Sequence, residues 1–393
     1  MRVLFYRYGS ICEPDILNAF EELGHSVTQI TEEINNKELS FGDSARLLRQ
    51  SLFSHPQDCV FTINFFPVIS DICNILRIPY ISWVVDSPVM ELFTKSIQNP
   101  YNRVFLFDRQ QYVELSPLNP HCIFHFPLAV NIKSKQSVIK NASAKFRKKF
   151  QSDISFVGSL YTEKCPYDKV QKLPDYVEGY LNGIMAAQEK IYGCYFIEEL
   201  LTDEIISEFK RHLSDYYQSP FQNFLTDKIT ISQLYIGNKI AAIERVHMLR
   251  ALSELFSVNL YTGSDTSSLP KIQNCGFAKT LTEMPVIFHE SKINLNITSK
   301  AIRSGVPLRV FDILGCEGFI ISNYQTELVE LFEPGVEFEY YTSEEELVEK
   351  INFYLSHEKE RKEIAHNGFE KVAKEFNYLK RLEELLQIAF ISV

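Results

Sequence analysis

The chain has 393 residues, of which 45% are hydrophobic and 23% are charged, and its formal net charge is −10. This length predicts two domains, each large enough to bury a core of its own. The acidic balance argues against nucleic acid as the main partner, because binding to phosphates requires a concentrated basic surface. The one basic cluster, at residues 145–149, is interpreted as a solvated connector.

The chain carries no signal for a membrane or an oxidising compartment. No apolar run approaches the ~18 residues that a membrane-spanning helix needs, and the N-terminus does not resemble a signal peptide. The eight cysteines include no CxxC pair and mostly lie in apolar runs. We therefore expect a cytoplasmic protein with reduced thiols and with neither a disulfide framework nor a zinc site.

The first part of the chain alternates short apolar runs with helical patterns. Residues 2–8 form an apolar run, and residues 13–23 then show a helical period that ends at Gly24. Further strands are expected at residues 58–65, 79–85, 103–107 and 122–126, with a helix at 69–76. This alternation predicts a doubly wound, Rossmann-like domain over residues 1–135. It lacks a GxGxxG motif, so no dinucleotide is inferred.

Polar residues follow several of these predicted strands. Because ligands bind beyond the carboxyl ends of the strands in such sheets, we expect five residues to gather there. They are Gly9, Asn64, Asp86, Asp108 and His125. Asp86 ends an apolar strand before Ser-Pro and is the candidate catalytic base, with a cap or turn role as the alternative. Gly9, Asn64 and His125 are assigned to the acceptor side.

A second domain is predicted after a basic, polar stretch. Residues 136–152 show no apolar period and are interpreted as a linker. The second Rossmann-like domain is expected over 153–375, with a helical insertion at about 163–250. Its strands are predicted at 153–157, 258–262, 292–297 and 319–322. A terminal helix at 376–393 is expected to pack back on the N-terminal domain.

Residues 294–333 are the part of this second domain most suited to a ligand. A strand, a polar loop, a helix that begins near Leu308 and a further strand form a βαβ unit whose loop can present backbone N–H groups to an anion. Arginines can fork to phosphate oxygens, and a helix carboxylate can hold ribose hydroxyls. Taken singly, each candidate also fits a plain turn or surface role. The candidate donor-binding residues are Gly158, Ser159, Thr262, Gly263, Thr298, Arg303, Ser304, Arg309 and Asp312.

The run RSGVPLRVFDILGCEGFIIS and the following LFEPGVEF resemble the C-terminal half of the CgeB-like (spore maturation protein) glycosyltransferases, which have the GT-B fold. The segments ISWVVDSP and HFPLAVNI resemble the domain that commonly precedes it. This resemblance implies that Asp312 holds the donor ribose. The wider family has a paired acid at the position of Ser304, and a glycine is common at the position of Glu317.

The expected fold is therefore α/β of the GT-B type, with two Rossmann-like domains facing across a cleft that closes on the donor. The resemblance implies a hexosyltransferase-like enzyme that takes a nucleotide-sugar, with UDP as the preferred nucleotide, and transfers the sugar to a protein or glycan acceptor. No DxD or HExxH motif occurs, so no obligatory metal or other cofactor is implied. Two alternatives remain open: a non-catalytic binding or assembly protein with the same scaffold, and a nucleotide-sugar epimerase.

Overall fold

The structure is a computed structural model, and it describes residues 1–163 and 165–391. The chain forms two compact units. Unit 1 contains Met1–Asn131, Ser219–Leu225 and the chain from Glu375 onward, whereas unit 2 contains Ile132–Gln218 and Thr226–Lys374. Residue 164 of the predicted insertion and residues 392 and 393 of the predicted terminal helix lie outside the described residues.

Unit 1 is built on a six-stranded parallel sheet in the order β2-β1-β3-β4-β5-β6. Its strands are β1 (Arg2–Tyr6), β2 (Ser26–Ile30), β3 (Cys59–Ile63), β4 (Tyr80–Val84), β5 (Asn102–Leu106) and β6 (Ile123–His125). Its first helices are α1 (Glu13–Glu22), α2 (Glu32–Asn35), α3 (Phe41–Ser54), α4 (Pro67–Leu76) and α5 (Arg109–Leu115). Every residue of β3, β4 and β5 is buried. These strands are mostly apolar because parallel sheets are covered on both faces, although β5 begins with the buried polar residues Asn102 and Arg103.

Unit 2 contains a second six-stranded parallel sheet, in the order β12-β11-β10-β7-β8-β9. Its strands are β7 (Ser152–Val157), β8 (Val258–Tyr261), β9 (Gln273–Asn274), β10 (Ser291–Asn296), β11 (Ile320–Asn323) and β12 (Glu339–Tyr341). Its helices before β8 are α6 (Ile132–Asn141), α7 (Ala144–Phe150), α8 (Asp175–Glu189), α9 (Ile197–Leu200), α10 (Asp203–Arg211), α11 (Asp227–Ile229) and α12 (Gly237–Leu255). Those after β8 are α13 (Met284–Glu290), α14 (Leu308–Gly315), α15 (Thr326–Leu331), α16 (Glu344–Ser356) and α17 (Glu358–Glu375).

The helices that precede α12 bury a core of their own. Leu181, Phe209 and Tyr235 are all almost completely inaccessible and belong to one apolar cluster with residues of α8, α9 and α10. A π-helical turn, Thr230–Ile236, leads into α12. Phe209 and Tyr235 therefore fill a core, and Tyr167, Tyr180 and Tyr195 pack against it, whereas Tyr176 is 66% exposed.

Residues 136–152, which the sequence analysis treats as a linker, form most of α6 and all of α7 and belong to unit 2. Two members of the basic cluster are paired with acids of α13 or its N-terminal flank. Arg147 lies 3.3 Å from the carboxylate of Glu290, and Lys149 lies 3.7 Å from that of Glu283. Charged pairs therefore hold part of the contact between α7 and α13.

Two segments that are distant in sequence complete unit 1. The terminal helix α18 (Tyr378–Ile391) packs on α1, and the ring of Tyr378 lies 5.8 Å from that of Trp83. Residues 219–225 pair with the chain after the 3₁₀ turn at Met90–Phe93, where Phe224 N–H donates to Phe93 O at 2.7 Å. Unit 1 is thus assembled from three separate stretches of the chain.

The turn between α14 and β11 has a backbone that favours glycine at two consecutive positions. Glu317 adopts a left-handed conformation with φ of 56°, which L-residues other than glycine seldom take. A Cβ on the next residue, Gly318, would lie 2.6 Å from Phe288 O. Glycine is the natural residue at both positions for these two different reasons.

The eight cysteines are free thiols.

Candidate functional site

A partly buried arginine joins two strand ends in unit 2. Arg245 lies on α12, and its Nη1 donates to Ser159 O at 2.6 Å while its Nη2 donates to Ile297 O at 2.7 Å. Its guanidinium also lies 4.5 Å from the centre of the Tyr161 ring, and burial lowers its pKa. Arg245 therefore fixes the loops after β7 and β10 relative to each other. Arg245 is not among the residues predicted from the sequence, because nothing in a helical period marks a residue that reaches two distant carbonyls.

The predicted donor residues after β7 and β8 lie on neighbouring strands, because β7 pairs with β8. Ser159 Oγ donates to the carboxylate of Glu163 at 2.9 Å. Thr262 is buried, whereas the position of a Cβ on Gly263 has no neighbour within 4 Å. The Cβ position of Gly158 lies 3.4 Å from a phenylalanine ring. The backbone at Gly263, in the loop after β8, is therefore open to a ligand, whereas the space beside Gly158 is occupied by the Phe156 ring.

The loop after β10 is held by an amide side chain. Thr298 N–H donates to Asn323 Oδ1 at 2.8 Å, and Asn323 Nδ2 donates to Thr298 O at 3.0 Å. Thr298 Oγ1 also accepts from Asn296 Nδ2 at 2.9 Å. This predicted donor residue is therefore a buried, fully bonded anchor of the loop, and its position is set by β11.

A buried ion pair lies next to this loop. Lys300 Nζ is 3.5 Å from Glu244 Oε1 and 3.2 Å from the centre of the Tyr192 ring, and both charged side chains are under a tenth exposed. Tyr192 donates to the same Glu244 oxygen at 2.9 Å. Burial lowers the pKa of Lys300 to about 8 and raises that of Glu244. The other Glu244 oxygen is buried without a hydrogen-bond partner. No sequence motif pointed to this pair.

Ser304, where the wider family has an acid, contacts a carboxylate from another helix. Its Oγ donates to Glu327 Oε1 at 2.7 Å, and Glu327 N–H donates to Ser304 O at 3.1 Å. Both residues are almost completely buried. Arg303 lies beside them and, together with Lys300, lines a small indentation at the end of β11.

The helix α14 begins at Leu308, as the sequence predicts, and carries two further candidates. Arg309 packs its guanidinium 5.3 Å from the Phe288 ring and 3.8 Å from Asp312 Oδ2. Asp312 Oδ1 lies 3.1 Å from Lys135 Nζ, and both side chains are buried. Lys135 belongs to α6, so a residue at the very end of the predicted first domain orients the predicted ribose-binding carboxylate.

In unit 1, Asp86 and Asn64 meet at the carboxyl edge of the sheet. Asn64 Nδ2 donates to Asp86 Oδ2 at 2.7 Å and to Tyr8 Oη at 2.8 Å. Asn64 Oδ1 accepts from Val85 N–H at 3.0 Å, and Asn64 itself has φ of 57°. Burial raises the pKa of Tyr8. Asp86 is exposed, and Asn64 directs one of its oxygens.

These residues line a cavity of about 540 Å³ within unit 1. Its wall includes the rings of Tyr8, Phe66 and Phe221 and the carboxylates of Asp86 and Glu91. Phe221 comes from the segment 219–225, and its ring lies 4.9 Å from that of Phe41. The sequence analysis placed two of the cavity residues correctly at strand ends but could not place the contribution of a segment some 130 residues further on.

The other three residues expected at these strand ends, among them the acceptor-side candidates Gly9 and His125, do not line the cavity. Gly9 has φ of +94° and donates its N–H to the buried carboxylate of Glu13 at 3.0 Å. Its role is therefore to form the turn between β1 and α1. Asp108 caps α5 by accepting from the backbone N–H groups of Gln110 and Gln111. His125 ends β6 but does not line the cavity.

Two further observations concern the described residues alone. No helix among residues 1–163 and 165–391 is long and apolar enough to cross a bilayer. Within the same ranges, no three His, Cys, Asp or Glu side chains are grouped so that they could hold a metal ion.

Comparison with known proteins identifies the type of fold. Residues 245–387 match a family described as glycosyl transferase-like. A sequence search among curated proteins found no match.

Solved structures resemble the whole chain at low identity. A glycosyltransferase from Rickettsia africae is 12% identical with a TM-score of 0.59, and the alignment covers 100% of this chain and 98% of that one. Sucrose-phosphate synthase from Thermosynechococcus elongatus is 10% identical, with a TM-score of 0.57 and full coverage of both chains. Anabaena HepE in complex with UDP-glucose is 11% identical, with a TM-score of 0.54 and 98% coverage of both.

At these identities the likeness establishes the fold. Two α/β units, each with a six-stranded parallel sheet, are the architecture that this chain shares with those glycosyltransferases. The chain therefore has the GT-B type of fold, and its residues 245–387 match the glycosyl transferase-like family.

Proposed function

We propose that the protein is a glycosyltransferase that moves a hexosyl group from a UDP-sugar to a hydroxyl group of a glycan or protein acceptor. The observation that carries this proposal is the agreement between the family match and the site in unit 2. The matched residues begin at Arg245, which joins two strand-end loops, and include Lys300, Arg309 and Asp312. Uridine is favoured as the base because a structure of similar fold, HepE, was solved with UDP-glucose.

The donor is assigned to the carboxyl edge of the unit 2 sheet. A diphosphate placed at the N-terminus of α14 would meet backbone N–H groups that have no partner within the helix. Arg309, in the first turn of α14, supplies positive charge at this terminus, and Lys300 and Arg303 of the preceding loop are further candidate cations. Asp312, oriented by Lys135, is assigned to the donor ribose. The resemblance to CgeB-like proteins supports the same assignment.

The acceptor is assigned to the cavity of unit 1, with Asp86 as the base. In the proposed inverting displacement, the acceptor oxygen bonds to the anomeric carbon as the bond from that carbon to the diphosphate breaks. Asp86 takes the proton of the acceptor hydroxyl. UDP leaves with the electron pair, and the arginines and N–H groups stabilise the charge that develops on it. We propose that no obligatory metal takes part, since the sequence contains no DxD motif.

Calorimetric titration with UDP tests the donor site. We expect wild-type protein to bind UDP, and Arg309→Ala and Asp312→Ala each to weaken binding at least about tenfold, because charged hydrogen bonds carry much of such an affinity. Arg250→Ala removes an exposed arginine of α12 and serves as the matched control. Unchanged UDP binding in both site variants would remove this site from consideration.

Product analysis separates the proposal from its rivals. A transferase consumes a UDP-sugar faster when an acceptor is added. If the transfer needs no metal, EDTA does not change its rate. An epimerase converts the donor alone, whereas a binding protein shows UDP affinity with no conversion. Asp86→Asn should abolish transfer while UDP binding persists, because the change removes the base and leaves unit 2 intact.

A further inference from the structure

Besides Asp86, the cavity of unit 1 contains two carboxylates, those of Glu33 and Glu91, and the proposed reaction uses neither. Glu91 lies at the first turn of the 3₁₀ segment Met90–Phe93 and lines the same cavity as Asp86. Among the described residues, its carboxylate makes no hydrogen bond or ion pair with another side chain, although the residue is only partly exposed. Burial accordingly raises the pKa of Glu91. Apart from a hydrogen bond with its own backbone, this half-buried carboxylate keeps acceptor capacity that a ligand can use.

The charge of the cavity wall is strongly unbalanced. Three carboxylates, those of Glu33, Asp86 and Glu91, face one ammonium group, that of Lys37. Lys37 is already engaged, because its Nζ donates to Tyr8 O and lies 5.7 Å from the centre of the Tyr8 ring. Glu33 accepts from Tyr6 Oη at 2.5 Å. Among the described residues that line the cavity, a negatively charged ligand would therefore meet carboxylates with no free cation to offset them.

The remainder of the wall is aromatic. Tyr8, Phe66 and Phe221 contribute rings, with Tyr8 and Phe66 5.5 Å apart, and Pro88 adds a further apolar surface. A pyranose has an apolar face of C–H groups that packs on such rings and an edge of hydroxyl groups that needs carboxylate or amide partners. The volume of about 540 Å³ lies in the range of small-molecule sites and is suited to one or two sugar units.

We propose that this cavity binds a saccharide that carries no negative charge, and that Glu91 selects for a hydroxyl or amino group on it. This inference rests on the proposed function, and it narrows the acceptor to a neutral or amino-bearing sugar. Asp86, oriented by Asn64, addresses the reacting hydroxyl. Glu91 contacts a second polar group of the same ligand and excludes acidic sugars. Phe221 places the segment 219–225 in direct contact with the acceptor.

The experiment is ligand-observed NMR with the full chain and three probes of similar size: methyl β-glucoside, glucosamine and glucuronate. We expect the first two to bind and glucuronate to bind at least about tenfold more weakly, because like charges repel at this wall. Glu91→Gln should reduce the difference between glucosamine and glucuronate severalfold. Glu21→Gln, on an exposed face of α1, is the matched control and should not alter it.

Phe221→Ala locates the probe. The Phe221→Ala substitution should weaken binding of methyl β-glucoside about fivefold or more, since it removes one aromatic wall of the cavity. Phe53→Ala is the control: it removes a phenylalanine of α3 that is 69% exposed, and it should not change binding. Equal binding of glucuronate and methyl β-glucoside would overturn the inference, as would the absence of binding by all three. UDP titration is measured separately, so loss of UDP binding with retained sugar binding would count against the proposed function alone.

Discussion

The buried pair of Glu244 and Lys300 allows a quantitative test of how unit 2 holds its strand-end loops. The charged atoms are 3.5 Å apart, and the side chains are 1% and 6% exposed. At an effective dielectric constant of about 20, their attraction is on the order of 5 kcal/mol. Burial nevertheless shifts the pKa of each group towards its neutral form. Desolvation therefore offsets most of the attraction, so the intact pair contributes little net stability.

Removing one partner should be far more costly than removing both. We expect Glu244→Gln and Lys300→Met each to lower the free energy of unfolding by about 3 kcal/mol, because each leaves one buried group without its partner. The double variant should lie within about 1 kcal/mol of wild type, which gives a coupling energy on the order of 5 kcal/mol. Hydrogen exchange of the α12 amides in urea measures the free energy of unfolding of unit 2 for each variant.

The protein contains an internal control for this experiment. Its single tryptophan, Trp83, lies in unit 1, so fluorescence follows that unit while α12 exchange follows unit 2. If the effects of the two single substitutions on the free energy of unfolding were additive, with a coupling energy below about 0.5 kcal/mol, Glu244 and Lys300 would not act as a unit. That result would refute the reasoning.

Three further predictions concern stability. Gly368→Ala should destabilise the protein by more than about 3 kcal/mol in thermal melts, because a Cβ would lie 2.3 Å from Glu337 O. Gly183→Ala is the control: a Cβ there has no neighbour within 4 Å, so the protein should be unchanged or stabilised by up to about 1 kcal/mol. Glu317→Gly should raise the melting temperature slightly by relieving its left-handed φ of 56°; a clear fall would contradict this. The pKa of Lys300 is lowered from 10.5 to about 8, so between these values the unfolded chain binds more protons and the contribution of Lys300 to stability rises with pH. Urea midpoints of wild type and Lys300→Met, measured across that interval, should show this rise in wild type only.

The sequence analysis located most elements because their signals are local. The apolar runs of β3, β4 and β5 and the start of α14 at Leu308 agree with the structure to within one or two residues. It missed β9 and β12, which are two and three residues long. A strand that short produces no readable period, and only its pairing with a longer neighbour makes it a strand.

The sequence alone determined the two α/β sheets, the start of α14, and the placement of Asp86 and Asn64 at strand ends, and the ligand-presenting role of the loop before α14 stays a prediction. Tertiary structure alone decided which side chains meet. It paired Asp312 with Lys135, tied the loops after β7 and β10 through Arg245, and brought Phe221 into the cavity of unit 1. The physical reason is that periodicity reports burial along one element, whereas a contact between distant residues depends on how several elements pack together.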